Sequence, residues 1–106
     1  MQRDRQPTIP GVILKSIFLD ERGVTTKAFA EAVGVTPKHM SRIIHGKARI
    51  EANLAARMAK VLGTSERFWM NLQANVDIWQ ARRDIRQWKP KATFRLSDNS
   101  DHTRMS

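Results

Sequence analysis

The sequence lacks cysteine, any apolar run of membrane-spanning length, and any internal repeat. Without cysteine there are no disulfide bonds and no thiolate metal sites, a composition consistent with a cytosolic protein. No apolar run approaches the roughly 20 residues of a transmembrane helix, and no apolar core follows the N-terminal arginines, as a secretory signal would require. Together with the length of 106 residues, these absences favour one small cytoplasmic domain.

Acidic residues are also scarce, with 10 Asp and Glu against 19 Lys and Arg and a formal net charge of +9. In so short a chain this excess indicates a polyanionic partner rather than a small acidic substrate. A basic surface that serves only solubility is the alternative. The charge is uneven, however: positions 36–49 contain no acid, and residues 82–104 carry seven basic residues against three acidic ones.

The spacing of apolar residues predicts an all-α fold of five helices. Proline or a small hydroxyl residue precedes or opens several of them, and glycine follows four of them, as helix ends require. The predicted ranges are 11–21, 26–33, 37–45, 52–62 and about 66–83. We therefore expect a flexible arm at residues 1–9, a helix-turn-helix domain at 10–83 and a basic, partly disordered tail at 84–106. Residues 92–96 alternate weakly, which fits a short strand or no regular structure.

Residues 26–45 have the pattern of a helix-turn-helix. Gly34 suits the turn between two short helices, and Thr36 followed by Pro37 suits the start of the second. Met40 and Ile43 give that helix an apolar back. Its other side is polar and basic, as a helix that reads the DNA major groove requires. The candidate base-reading residues are Thr36, Lys38, His39, Ser41 and Arg42.

Several basic and polar side chains are candidates for phosphate contacts. Lys47 and Arg49 follow the reading helix, and Lys and Arg supply most of the non-specific affinity for DNA. Thr26 and Lys27 begin the preceding helix, where backbone N–H groups can also meet a phosphate. Arg42 matches the O6 and N7 acceptors of guanine, although it could equally lie along the backbone. The alternative for the whole face is an exposed, solvated helix surface.

The fifth helix has more apolar surface than a small domain usually covers. The surplus predicts a homodimer contact, and two reading helices about one turn of DNA apart would match a palindromic operator. The alternative is that the whole stripe is core. The candidate dimer residues are Phe68, Trp69, Leu72, Val76 and Trp79.

Nothing in the sequence indicates an enzyme, a metal site or a cofactor. His39 and His45 are six residues apart and do not share a helix face, and His102 lies in the predicted disordered tail. No carboxylates join them as metal ligands. Ser41 has no acid to orient a neighbouring histidine, and no glycine-rich phosphate loop is present.

A set of short motifs spans about residues 10–83. The motifs are Pro10-Gly11, Ile13-Leu14, Gly46-Lys47, Leu62-Gly63-Thr64-Ser65, Phe68-Trp69-Met70-Asn71-Leu72-Gln73 and Asp77-Ile78-Trp79. Together they resemble the HigA (VapI-like) antitoxin family, within the lambda-repressor-like, Xre-type helix-turn-helix group. Departures occur at Thr26, where glutamine is common in the wider group, and at Pro37 and His39.

The resemblance implies a homodimeric repressor that binds an operator in its own promoter and neutralises a HigB-like, RelE-like mRNA-cutting toxin. We also expect a cytoplasmic, nucleoid-associated protein with no membrane partner and no cofactor. Two alternatives remain open. One is a stand-alone Xre-type transcriptional regulator without a toxin, as some members are, and the other is a basic protein-binding or membrane-surface module with a vestigial helix-turn-helix.

Overall fold

The computed structural model describes residues 5–96, and within this range the chain contains five helices and no strand. The segments Pro10–Ile13, Leu14–Leu19 and Asp20–Arg22 run on without a break and form α1. The others are α2 (Thr26–Val33), α3 (Pro37–Ile44), α4 (Ala52–Leu62) and α5 (Glu66–Asp84). The predicted all-α fold is confirmed. The weak alternation at 92–96 forms no strand, and the predictions for residues 1–4 and 97–106 lie outside the described residues.

The helix ends follow the local signals of the sequence. The hydroxyl groups of Thr25, Thr36 and Ser65 accept hydrogen bonds from backbone N–H groups three residues ahead, at 3.0–3.1 Å. Each bond satisfies a donor that the first helical turn leaves without a partner. Because Thr25 caps α2, Thr26 is its first residue. None of the five helices is long and apolar enough to cross a membrane.

The core lies where α1, α2, α3 and α4 meet the first half of α5. Trp69 is its largest member and is completely buried. Its ring packs against Phe18 and Phe68 at centroid distances of 5.3 and 4.9 Å, and its Nε1 donates to Thr64 Oγ1 at 2.7 Å. The other members of the buried hydrophobic cluster are Leu14, Leu19, Phe29, Ala30, Val33, Met40, Ile43, Ile44, Ile50, Leu54, Ala55 and Met58.

This placement corrects one prediction about α5. Trp69 was expected in a dimer contact, but its side chain is enclosed within its own chain and cannot reach a partner. Phe68 is 38% exposed, and Leu72, Val76 and Trp79 are half-buried. The candidate dimer surface is therefore reduced to these four residues.

The middle of α1 is π-helical over Leu14–Leu19, a conformation that the spacing of apolar residues does not predict. Leu19 follows Leu14 by five positions, so a regular α-helix would turn the two side chains towards different sides. The wider π turn places five residues close to one full turn, and both leucines are fully buried. The π segment thus lets α1 place both leucines in the core.

Helix α1 passes very close to the C-terminal end of α3. A methyl group added to Gly11 would lie 2.3 Å from the carbonyl oxygen of Ile43 and 2.5 Å from Ile44 Cα. Because these are backbone atoms, they cannot move aside as a flexible side chain would. The absence of a side chain at Gly11 therefore permits the contact that fixes the end of α3.

Candidate nucleic-acid interface

Helix α3 separates its apolar and polar residues onto two sides. Met40, Ile43 and Ile44 are buried in the core. Lys38, His39 and Arg42 are exposed, Ser41 is half-buried, and Thr36 is exposed at the N-cap. The helix thus has a fixed apolar back and a solvent-facing side made of hydrogen-bonding and cationic groups. That is the arrangement a groove-reading helix requires.

The turn before α3 is built by Gly34 and reinforced from α4. Gly34 adopts φ 79°, a left-handed conformation that residues with a side chain rarely take. Its neighbour Val35 donates its N–H to Ala30 O at 3.0 Å. In addition, Arg57 Nη1 on α4 donates to Val33 O at 3.0 Å and to Gly34 O at 3.4 Å. The arginine thereby satisfies carbonyl groups at the end of α2 and holds the turn.

The loop that follows α3 folds back onto the end of the reading helix. The N–H groups of Lys47 and Ala48 both donate to Arg42 O, at 2.7 and 3.2 Å. In return, Arg42 Nη2 donates to Lys47 O at 3.0 Å. Arg42 was predicted as the best base reader, and here one donor of its guanidinium holds the loop. A guanidinium has five N–H donors, so others remain available to a base edge.

Arg49 has a different environment from the one expected of a phosphate-binding residue. Its Nη1 lies 2.7 Å from Glu51 Oε1, and its Nη2 donates to Asp77 Oδ2 on α5. The hydrogen bond from Arg49 lowers the pKa of Asp77, and the two carboxylates, Asp77 foremost, raise the pKa of Arg49. The structure therefore places the Arg49 guanidinium between two carboxylates.

Gln73 completes this cluster from inside the protein. Its side chain is 5% exposed, its Oε1 accepts the Ile50 N–H at 2.8 Å, and its Nε2 donates to Asp77 Oδ1 at 3.0 Å. Sequence reasoning assigned no role to Gln73, Asp77 or Arg57. A signal did exist for Gln73, which is a polar residue within the apolar stripe of α5, but Arg57 and Asp77 meet partners 23–28 residues away.

Four of the predicted contact residues surround one open cleft between α3 and the start of α4. They are His39, Arg42, Lys47 and Arg49. Arg57 also lines this cleft. The other five predicted contact residues do not, namely Thr26, Lys27, Thr36, Lys38 and Ser41. Thr26 is half-buried and Lys27 exposed, both in the first turn of α2. The cleft thus combines cationic side chains from the reading helix, the loop and α4.

Within residues 5–96, no group of three or more His, Asp and Glu side chains is arranged to hold a metal ion. His45 Nδ1 instead lies 2.8 Å from Ser41 O, one helical turn earlier. His102 lies outside the described residues.

Known proteins share both this sequence pattern and this fold. The helix-turn-helix family matches residues 14–69. Antitoxin HigA-1 of Vibrio cholerae serotype O1 is 41% identical over 78 residues, which cover 74% of this chain and 73% of the relative. The chain belongs to the HigA antitoxin family. This is a family of DNA-binding helix-turn-helix proteins rather than of enzymes.

Two further comparisons bear on the HigA assignment. The structure of Pseudomonas aeruginosa antitoxin HigA with the higBA promoter is 32% identical, superposes with a TM-score of 0.73, and is matched over 77% of this chain and 89% of that one. The transcriptional regulator YbaQ of Escherichia coli K12, an uncharacterized HTH-type protein, is 35% identical over 80% of this chain and 75% of its own. The sequence similarity thus extends to a protein named as a transcriptional regulator and not as an antitoxin.

Proposed function

We propose that this protein is an antitoxin that binds an operator in its own promoter, represses its own operon and neutralises a HigB-like mRNA-cutting toxin. The observation that carries the DNA-binding part is the exposed, acid-free side of α3, held against the core by Met40, Ile43 and Ile44. A relative with this fold has been solved with its promoter. Repression follows because a promoter covered by protein is not open to polymerase.

The proposed base and phosphate contacts are assigned to residues by the chemistry of their side chains. Arg42, together with Thr36, Lys38, His39 and Ser41, faces the base edges from α3. Lys47 meets a phosphate from the loop, and Thr26 and Lys27 meet another at the start of α2, where backbone N–H groups also favour an anion. Phosphate contacts set affinity and register, whereas base contacts set the sequence that is read. A protein with this partner is expected on the nucleoid.

We further propose that the protein binds the operator as a homodimer through α5. Phe68, Leu72, Val76 and Trp79 recur at helical spacing, and each keeps part of its apolar surface outside the core. Two copies joined along this stripe would carry two reading helices, as a palindromic site requires.

The base-reading role of Arg42 is tested by replacing it with alanine. We expect operator affinity to fall by about tenfold to a hundredfold, because a bidentate contact to guanine is worth roughly 1–3 kcal/mol, while binding to scrambled DNA changes little. Gel shift with the promoter fragment upstream of the gene measures both, and sedimentation of the complex should give two chains per operator.

Lys47→Ala and Arg67→Ala provide the contrast for this experiment. Lys47→Ala should weaken binding to all sequences and lower the salt slope by about one phosphate contact. Arg67 is exposed on the first turn of α5 and does not line the cleft, so Arg67→Ala should leave both quantities unchanged. Equal affinities for operator and scrambled DNA in the unaltered protein would contradict the proposed function.

The toxin-neutralising role is proposed from the relatives' names and is tested separately. Expression with the small basic protein encoded beside this gene should yield a complex that co-purifies and in which cleavage of translated mRNA is suppressed. If no such neighbouring protein is encoded and no partner is recovered, the protein is instead a stand-alone regulator. The similarity to the regulator YbaQ favours that alternative.

A further inference from the structure

We infer that Gln73 and Asp77 of α5 are positioning residues for DNA binding, which hold the loop between α3 and α4 through Arg49 and the Ile50 backbone. Arg49 acts with them as part of this support and not as a phosphate ligand. The inference rests on the proposed DNA-binding function and assigns to α5 a second task besides the dimer contact.

Gln73 fixes the end of the loop. Among residues 5–96 it is the polar side chain that is buried in the core. Its Oε1 accepts the N–H of Ile50 at 2.8 Å, and Ile50 is itself fully buried. A buried N–H without an acceptor is costly, so the amide of Gln73 determines where the chain enters α4.

Asp77 connects this buried amide to the loop surface. Its Oδ1 accepts from Gln73 Nε2 at 3.0 Å, and its Oδ2 accepts from Arg49. With both oxygens in use, Asp77 orients the amide on one side and the guanidinium on the other. Charged hydrogen bonds of this kind are stronger than neutral ones, and a connected network constrains geometry more than separate pairs do.

Arg49 is poorly suited to attract a phosphate in this arrangement. Its two terminal nitrogens each contact a carboxylate, one from Glu51 and one from Asp77. Arg49 and these two carboxylates together carry a net negative charge, so attraction of a phosphate into the cleft comes from its other cations, Arg42, Lys47 and Arg57. The guanidinium instead joins the loop to α5, so its effect on DNA binding is exerted through geometry.

The loop that Arg49 holds also carries the groups proposed to meet DNA. Lys47 lies two residues before Arg49, and Arg42 of the reading helix donates to Lys47 O. A continuous set of contacts therefore runs from α5 through Arg49 and the loop to α3. Loss of the support from α5 would let Lys47 and Arg42 depart from the spacing that the operator requires.

The inference and simple electrostatics predict opposite results for Asp77→Ala. Removing an anion near a DNA surface should strengthen binding to any DNA if only charge matters. If Asp77 positions the loop, operator affinity should instead fall by about threefold to tenfold, the usual size of coupling within one network, and binding to scrambled DNA should not fall. Asp77→Asn, which keeps the side chain's shape, should give a smaller loss in the same direction.

The matched control is Asp84→Ala. Asp84 also lies on α5 and also accepts a hydrogen bond from a glutamine, Gln80 at 2.9 Å, but it has no contact with the loop among the bonds described. Its replacement removes the same charge and should leave operator affinity unchanged. Circular dichroism of each variant at the assay temperature establishes that the helices remain folded.

Gel shifts over a salt series, with the promoter fragment and a scrambled fragment of equal length, separate the possible results. Arg49→Ala should weaken operator binding with an unchanged salt slope, and the exchange Arg49→Asp with Asp77→Arg should recover part of the loss. Two results would overturn the inference alone. One is a salt slope that Arg49→Ala lowers by about one phosphate contact. The other is an operator affinity of Asp77→Ala that equals or exceeds that of the unaltered protein. Failure of the unaltered protein to prefer the promoter would overturn the proposed function and this inference with it.

Discussion

Replacing Trp69 with alanine is expected to lower the free energy of unfolding by about 3–5 kcal/mol, the range measured for truncated buried aromatics. Trp69 is completely buried, packs on Phe18 and Phe68, and donates to Thr64 Oγ1. The change would remove these contacts, leave a cavity and free the Thr64 hydroxyl. Since small domains have about 5–15 kcal/mol of stability in total, the variant should be largely unfolded at modest denaturant concentrations.

Urea unfolding followed by circular dichroism measures this loss without relying on tryptophan fluorescence. Trp88→Ala is the matched control, because it removes the same side chain from a position that is 63% exposed. We expect it to change stability by less than about 0.5 kcal/mol. Similar losses for the two variants would mean that Trp69 is not the centre of the core.

Gly11→Ala is expected to cost about 3 kcal/mol of stability, the upper end of the range for overpacked sites. At an open helical position the same change would stabilise the helix by about 1 kcal/mol, because alanine is the better helix former. At Gly11, however, the new methyl group would meet Ile43 O at 2.3 Å and Ile44 Cα at 2.5 Å. Helices α1 and α3 must separate to admit it.

This displacement should also weaken operator binding, because Ile43 and Ile44 end the reading helix just before the loop that carries Lys47. Gly23→Ala is the control: Gly23 has φ +66° and no atom within 4 Å of an added methyl group. It should cost about 1–2 kcal/mol from backbone strain alone and leave operator affinity unaltered. Melting curves and gel shifts of the two variants distinguish a steric clash from a general effect of losing glycine.

The helix-turn-helix could be predicted from the sequence because its signals are local. Thr36 and Pro37 mark the start of α3 within two adjacent residues, and Gly34 marks the turn by a backbone conformation that few other residues adopt. Met40 and Ile43 then set the buried side of α3 by helical spacing. The structure confirms these elements, whereas the roles of individual side chains toward DNA stay predictions.

In helix α5, the helical spacing of apolar residues does not predict what each side chain contacts. The spacing of Phe68, Trp69 and Leu72 marks apolar positions, but it does not distinguish a core from an interface with another chain. Whether Trp69 lies in the core or at an interface depends on the position of Phe18, some 50 residues earlier in the sequence. The prediction that Trp69 lies in a dimer contact was wrong for that reason.

The contacts of Arg49 and Arg57 around the reading helix could not be predicted from the sequence for a related reason. The sequence predicts Arg49 as a phosphate contact because a cation beside a reading helix usually is one, and it gives no sign of the contact with α5. Its partner Asp77 is 28 residues away, and the partners of Arg57 are 23 and 24 residues away. Side-chain pairs at this separation depend on how whole helices pack, which no local pattern encodes.

The separation of residues on α3 has a consequence for how such proteins diverge. Met40, Ile43 and Ile44 keep the helix in place, while Lys38, His39 and Arg42 face solvent and contribute little to the core. Mutations at the exposed positions can therefore accumulate without unfolding the chain. The DNA sequence that α3 recognises can change in this way while the fold is retained. Gene duplication would then yield copies that address different operators and do not silence one another's promoters.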